Sequence, residues 1–211
     1  DNIRFVGALF PYASPRQGPS WYDERLKKYK KIVLVTQGTV EKDIRKILIP
    51  TLEAFKGTDV LVIAATGGTQ TEELQEKYPF ENFIIKDYIP FDDVMPYANV
   101  FVTNGGYSGT LLSIKHKLPI VAAGMHEGKN EVCARIGYFN LGIDLKTELP
   151  SSQAIQDAAN KILIDNTYKD KVTKLAEEIN RYNANELSAG YIAELLQAQT
   201  TSAKAIKRKT V

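Results

Sequence analysis

Apolar residues in this chain fall into two patterns. The first is short, continuous blocks such as Ile32-Val33-Leu34-Val35, Val60-Leu61-Val62-Ile63-Ala64-Ala65 and Ile120-Val121-Ala122-Ala123. Continuous rather than alternating apolar runs belong to strands covered on both faces, as in a parallel sheet. They predict strands over 31–36, 59–65, 82–88, 99–102 and 118–123, with a sixth at the edge over 141–145. The second pattern recurs every three or four residues. Ile44, Ile47, Leu48, Leu52 and Phe55 form such a stripe over 43–55, with Pro50 expected to kink that helix. Shorter helices are predicted over 21–29, 71–78 and 92–97, another follows the glycines near 105–110, and one more covers 130–139.

The C-terminal part reads as helical throughout. Ser151 is placed as an N-cap ahead of the stripe Ile155, Ala158, Ala159, Ile162 and Leu163. Tyr168, Val172, Leu175, Ile179 and Tyr182 form a second stripe, and Asn183 with Glu186 resembles a capping box opening a last helix to about Ala198. These stripes are packing faces.

Strands alternating with helices specify an α/β, doubly wound, parallel, Rossmann-like sheet with C-terminal helices. In the Rossmann order the first and fourth strands are neighbours at the switch point, where ligands bind. The loops after those strands are Gln37-Gly38-Thr39 and Asn104-Gly105-Gly106-Tyr107-Ser108-Gly109-Thr110. Glycines leading into a helix bring bare N–H groups to the positive end of a helix dipole, which is an anion site. Gly67-Gly68 and His126-Glu127 end neighbouring strands, so every chemically suggestive loop falls on one rim.

Composition narrows the partners. The formal net charge is +2, but Lys204, Lys207, Arg208 and Lys209 lie in the last eight residues. The body is slightly acidic, which argues against nucleic acid as a partner; residues 199–211 are expected to be a flexible basic tail. Pro11, Pro15, Gly18 and Pro19 mark residues 1–20 as a linker, so an N-terminal domain is expected ahead of a 21–198 domain. The one cysteine, Cys133, fits a reducing cytoplasm and reads as a buried thiol rather than a nucleophile. His116, flanked by lysines at a helix end, reads as a surface residue. No apolar run approaches the roughly 20 residues of a membrane span.

Three segments in order resemble the nucleotide-sugar-binding, C-terminal half of the GT-B glycosyltransferases, in the macrolide and UDP-glucuronosyl/UDP-glucosyl transferase branch. They are Val33 to Thr39, Asp87-Tyr88-Ile89-Pro90, and Asn104 to Thr110 followed by Leu118-Pro119, His126-Glu127 and Asn130. The resemblance implies that Gly38, Thr39, Asn104, Gly105, Gly106, Ser108, Gly109 and Thr110 hold the diphosphate. It implies that Tyr88 and Ile89 line the nucleobase pocket, and that His126 and Glu127 meet sugar hydroxyls. The family usually has histidine where Asn104 stands, an acidic-Gln pair where His126-Glu127 stands, and in plant members a glutamate where Leu112 stands.

The implied reaction is inverting transfer of a hexose from a UDP- or TDP-sugar to a small-molecule hydroxyl. It needs a base for the acceptor and stabilisation of the departing diphosphate. The glycine loop supplies the second, no Asp-x-Asp suggests a metal, and no cofactor is expected. The base belongs to the N-terminal acceptor domain, so the 211 residues alone are expected to bind donor without transferring sugar. Two alternatives stand beside this. One is a non-catalytic nucleotide-binding module. The other is a serine hydrolase, because Gly106-Tyr107-Ser108-Gly109 resembles a nucleophile elbow. Against the hydrolase, position 110 is Thr, and no histidine lies downstream of His126.

Overall fold

A computed structural model describes residues 3–10 and 20–208, with side chains through residue 197. The linker expected at 1–20 and the tail expected at 199–211 therefore lie partly outside the described residues. Two compact units are present.

The larger unit ends at Ala176 and carries a six-stranded parallel sheet. Its strands are β1 (Lys31–Thr36), β2 (Val60–Ala65), β3 (Phe83–Lys86), β4 (Val100–Thr103), β5 (Ile120–Ala122) and β6 (Gly142–Asp144), in the order β3-β2-β1-β4-β5-β6. This is the doubly wound order the alternation predicts. β1 pairs with β4 in the register Val33↔Val100 to Thr36↔Thr103, so the chain crosses over between these two neighbours. β6 pairs with β5 at the edge, as expected.

All six residues of β2, and five of the six in β1, are buried. Alternate residues point to opposite faces. Val33, Val35, Val62, Ala64, Val100 and Val102 join one core with Leu48, Leu52 and Phe55 of α2 (Leu48–Phe55) and Ile155 and Ala159 of α7 (Ser152–Ile164). Leu34, Leu61, Ile63 and Phe101 are equally buried. The remaining helices of this unit are α1 (Arg25–Lys28), α3 (Thr71–Lys77), α4 (Phe91–Val94), α5 (Tyr107–Lys115) and α6 (Lys129–Tyr138); α8 (Asn166–Ile179) spans the unit boundary.

Several expected boundaries move, each for a local reason. The helix expected from residue 43 starts only at Leu48, after a turn over residues 44–47. Pro50 thus sits in the first helical turn, where its missing N–H has no intrahelical partner to lose, and no kink is needed. The helix after the glycines begins at Tyr107, so Ser108, Gly109 and Thr110 lie inside its first turn. Ser151 caps α7 as expected, its hydroxyl accepting from Ala154 N at 3.1 Å. Tyr182 falls beyond the end of α8 and is 55% exposed, outside the stripe assigned to it.

In the smaller unit, α9 (Ala184–Arg208) opens as its capping pattern suggests: Asn183 Oδ1 accepts from Glu186 N at 3.2 Å. It continues past the expected end near Ala198, through a segment rich in strong helix formers, Ala203-Lys204-Ala205 and Lys207-Arg208. Gly7 has a φ of 88°, and a Cβ on it would stand 3.0 Å from Tyr182 Cβ, while the Arg4 guanidinium lies 5.6 Å from the centroid of the Tyr191 ring.

Asn82 is the buried polar residue that ties α2 to the sheet: its Nδ2 donates to Phe55 O and Val60 O, both at 2.8 Å. Asn82→Ala removes both bonds, while Phe55 O keeps those from Thr58 N and Thr58 Oγ1, so the variant should lose about 1–2 kcal/mol of stability, read from urea denaturation midpoints.

Candidate functional site

Four loops leave the C-terminal ends of β2, β1, β4 and β3 around a cavity of about 280 Å³. Its lining comprises Thr36, Gly38, Thr39, Ala65, Gly67, Asp87, Tyr88, Ile89, Phe91, Thr103, Asn104, Gly106 and Gly109. One end is apolar. Ile89 is 6% exposed, and Phe91 meets the buried Phe101 edge-on with ring centroids 6.1 Å apart. Tyr88 stands at the mouth, 69% exposed, and donates its hydroxyl to Gly67 O at 3.2 Å.

The other end is polar backbone. Gly106 is the N-cap of α5, and no side chain caps the helix. Asn104 Oδ1 accepts from Gly106 N at 3.3 Å, and Thr110 N bonds to Gly106 O at 3.0 Å. Between them, among the described residues, the N–H groups of Tyr107, Ser108 and Gly109 have no acceptor in the protein. Three orphan donors at the positive end of a helix dipole attract an anion.

The two glycine-bearing turns are tied directly. Asn104 Nδ2 donates to Gln37 O at 2.6 Å, while Thr36 Oγ1 donates to Ala65 O at 2.9 Å and accepts from Gly38 N at 3.2 Å. The approach between the β1 and β2 loops is close enough that a Cβ on Gly67, whose φ is 67°, would stand 2.7 Å from Gly38 O. Gly124 likewise lies against the Asn104 backbone, which seats the β5–α6 loop beside the glycine loop.

Of the sequence-predicted residues, Gly38, Thr39, Tyr88, Ile89, Asn104, Gly106 and Gly109 come together around this cavity. Gly105, Ser108, Thr110, His126 and Glu127 are not in its lining. Gly105 is buried against Cys133, and Thr110 turns inward, its Oγ1 donating to Gly106 O at 3.0 Å. Ser108 lies on the exposed side of the first turn. His126 and Glu127 occupy the adjacent β5–α6 loop, with His126 77% exposed at its side chain and Glu127 Oε2 2.6 Å from Lys129 Nζ.

Neither histidine serves Ser108. His116 Nε2 is 2.8 Å from Asp92 Oδ1, and its side chain is only 14% exposed, so it is a covered helix-end residue rather than a surface one. His126 Nε2 is 3.3 Å from Glu148 Oε2. Cys133 is buried as expected; burial, helped by Asp144, pushes its thiol up to about 11, which keeps it protonated and unreactive.

Sequence reasoning missed Ala65, Phe91 and Thr103 in the lining, and Glu148 beside it. The first three read as ordinary core residues, because burial and pocket lining look alike in an apolar run. Glu148 sits between Thr147 and Leu149 with no motif to mark it. Its Oε1 accepts from Met125 N at 3.1 Å and His126 N at 2.9 Å, and its Oε2 meets Lys46 Nζ at 3.1 Å.

A family model described as "UDP-glucoronosyl and UDP-glucosyl transferase" matches residues 46–181. The chain is 32% identical over 203 residues to UDP-glycosyltransferase 2 of Phaeomoniella chlamydospora, covering 93% of this chain and 45% of that protein. It is 34% identical over 186 residues to UDP-glucosyltransferase 1 of Beauveria bassiana (strain ARSEF 2860), covering 87% and 40%. Its fold resembles that of CalG4, the calicheamicin glycosyltransferase, with a TM-score of 0.75 at 20% identity over 92% of this chain and 47% of that one. The chain spans somewhat less than half the length of each of these proteins.

The Glu148 contacts set a pH dependence. Burial alone raises the carboxyl, but the Met125 N–H, the Lys46 ammonium and the His126 N–H outweigh it and lower it from 4.5 to about 2. A depressed carboxyl stabilises the fold fully above its unfolded value and loses that contribution as pH falls through its folded value. The stability difference between the native chain and Glu148→Gln should therefore be present at pH 7, shrink from about pH 4.5 downward, and be gone near pH 2, as measured by thermal melts across that range.

Proposed function

The chain belongs to the UDP-glucoronosyl and UDP-glucosyl transferase family, and on that premise we propose that it is the donor-binding half of an inverting, metal-independent glycosyltransferase. The reaction moves a hexose from a UDP- or TDP-sugar to a hydroxyl of a small molecule. The observation that carries this reading is the uncapped start of α5: three successive N–H groups without acceptors, of which Gly109 stands in the wall of a cavity whose other end is apolar, while Tyr107 and Ser108 lie on the solvent side of the same turn. A nucleotide diphosphate has matching ends, a flat base for the apolar wall and two phosphates for the amides.

In this reading the N–H groups of Tyr107, Ser108 and Gly109 and the Ser108 hydroxyl hold the diphosphate, with Gly38 and Thr39 closing from the β1 side. Gly105, Gly106 and Thr110 shape the turn; Asn104 acts by tying it to Gln37 O, since both ends of its amide are already engaged. Ile89 and Tyr88 flank the base. His126 and Glu127 reach the sugar hydroxyls from the neighbouring loop.

As the sugar–phosphate bond breaks, negative charge grows on the leaving diphosphate. Amides already aimed at it stabilise that charge without reorganising, and no metal or cofactor is required. The base that deprotonates the acceptor, and the acceptor pocket, come from an N-terminal domain corresponding to the rest of the relatives' length. The single buried cysteine fits work in the reducing cytoplasm.

Calorimetry tests the reading. UDP or TDP should bind the 211-residue chain, and a serine-directed phosphonate should not label it. Gly109 lines the cavity, and a Cβ there would meet the Phe101 ring at 3.6 Å, so Gly109→Asp puts a carboxylate into the ligand space and nucleotide binding should weaken at least about 100-fold, with thermal melts run alongside to confirm that the variant folds. Unchanged binding would refute the phosphate cradle, and sugar transfer by this chain alone would refute the division of labour.

A further inference from the structure

The β5–α6 loop is closed locally by Lys129 N donating to His126 O at 3.0 Å and by Lys129 Nζ at 2.6 Å from Glu127 Oε2, and it is braced further from outside its own sequence. Glu127 has a φ of 57° and Gly128 a φ of 78°, two consecutive left-handed residues. A non-glycine residue there is strained and persists only when its surroundings fix it. On one side the loop leans on Asn104 through Gly124. On the other it is held by a carboxylate distant in sequence, Glu148, which accepts both Met125 N and His126 N on one oxygen and whose other oxygen lies 3.3 Å from His126 Nε2.

That carboxylate is itself anchored. Lys46 Nζ lies 3.1 Å from Glu148 Oε2 and 2.6 Å from Glu41 Oε2, and Glu41 Oε1 accepts from Asp43 N at 2.9 Å. The side chains of Glu148, Lys46 and Glu41 are 17%, 26% and 21% exposed. Charge-assisted bonds shielded to this degree hold geometry better than a surface ion pair does. The strut therefore runs from the β1–α2 loop, which carries Gly38 and Thr39, across to the β5–α6 loop, which carries His126 and Glu127. None of its three carboxylate or ammonium groups lines the cavity.

We propose that Glu148, anchored by Lys46, is a positioning residue for donor-sugar recognition: it sets where His126 and Glu127 stand relative to the diphosphate turn without touching the donor. The inference rests on the donor-binding reading above. Removing the Glu148 carboxylate frees the β5–α6 loop but leaves Lys46 bound to Glu41 and the α5 amides untouched, so the loss falls on the sugar and not on the nucleotide.

The test titrates the 211-residue chain with UDP and, separately, with UDP-glucose. Glu148→Ala removes the acceptor for both loop N–H groups and should weaken UDP-glucose about tenfold, while UDP changes less than about twofold. Glu148→Gln, whose amide oxygen still accepts from both N–H groups, should restore most of the UDP-glucose affinity. Lys46→Met leaves the two amide bonds in place and should show the same selective loss at about threefold; it carries the test if Glu148→Ala does not fold. Equal weakening of both ligands, or UDP-glucose binding that Glu148→Ala leaves unchanged, overturns the proposal. So does a native chain that binds UDP but not UDP-glucose. A native chain that binds neither overturns the donor reading itself.

Discussion

Everything at this site depends on the pairing of β1 with β4. Because the two strands are parallel neighbours while their crossovers run to opposite sides of the sheet, their C-terminal loops must diverge, and a crevice opens between them. The bond from Asn104 Nδ2 to Gln37 O spans that divergence and sets how wide the crevice can be. The start of α5 is then held at the crevice with its first amides unspent.

Close packing keeps those amides where they are. Gly105 is pressed against the Cys133 thiol of α6, Gly124 against the Asn104 backbone, and Gly67 against Gly38 O. A side chain would run into backbone at Gly67 and Gly124 and into the Cys133 thiol at Gly105, so the glycines act less as hinges than as places where two segments touch. The acidic and basic side chains do different work. They stand around the rim rather than in the cavity wall, Asp87 excepted, and their visible partners are one another: Asp92 with Lys115 and His116, and Glu148 with Lys46 and two loop amides. Polar backbone faces the ligand space while charged side chains brace the loops. That division is what the proposed donor, with its charge concentrated in two phosphates, would need.

Much of this was legible in the residues. Continuous apolar blocks identify strands covered on both faces, and the alternation with helical stripes implies the doubly wound order that the sheet has. Glycines at the ends of β1 and β4 mark the rim. The start of α5 was harder to read. Tyr107, Ser108 and Gly109 are poor helix formers in isolation, yet they are helical because Leu111 and Ile114 bury the face behind them. Pro50 misled in the opposite sense, since a kink follows only if the helix has already begun.

The chain by itself thus determined the strand and helix content, the rim of the sheet on which the glycine-bearing loops gather and the glycines that lead into α5, because hydrophobic period and glycine placement are local properties. Only the tertiary structure decided which of those residues share one cavity, that Thr110 and Asn104 spend their polar groups inside the protein, and that Glu148 braces a loop more than twenty residues away. Those are facts of distance between segments far apart in sequence, and nothing in a local pattern of side chains encodes them.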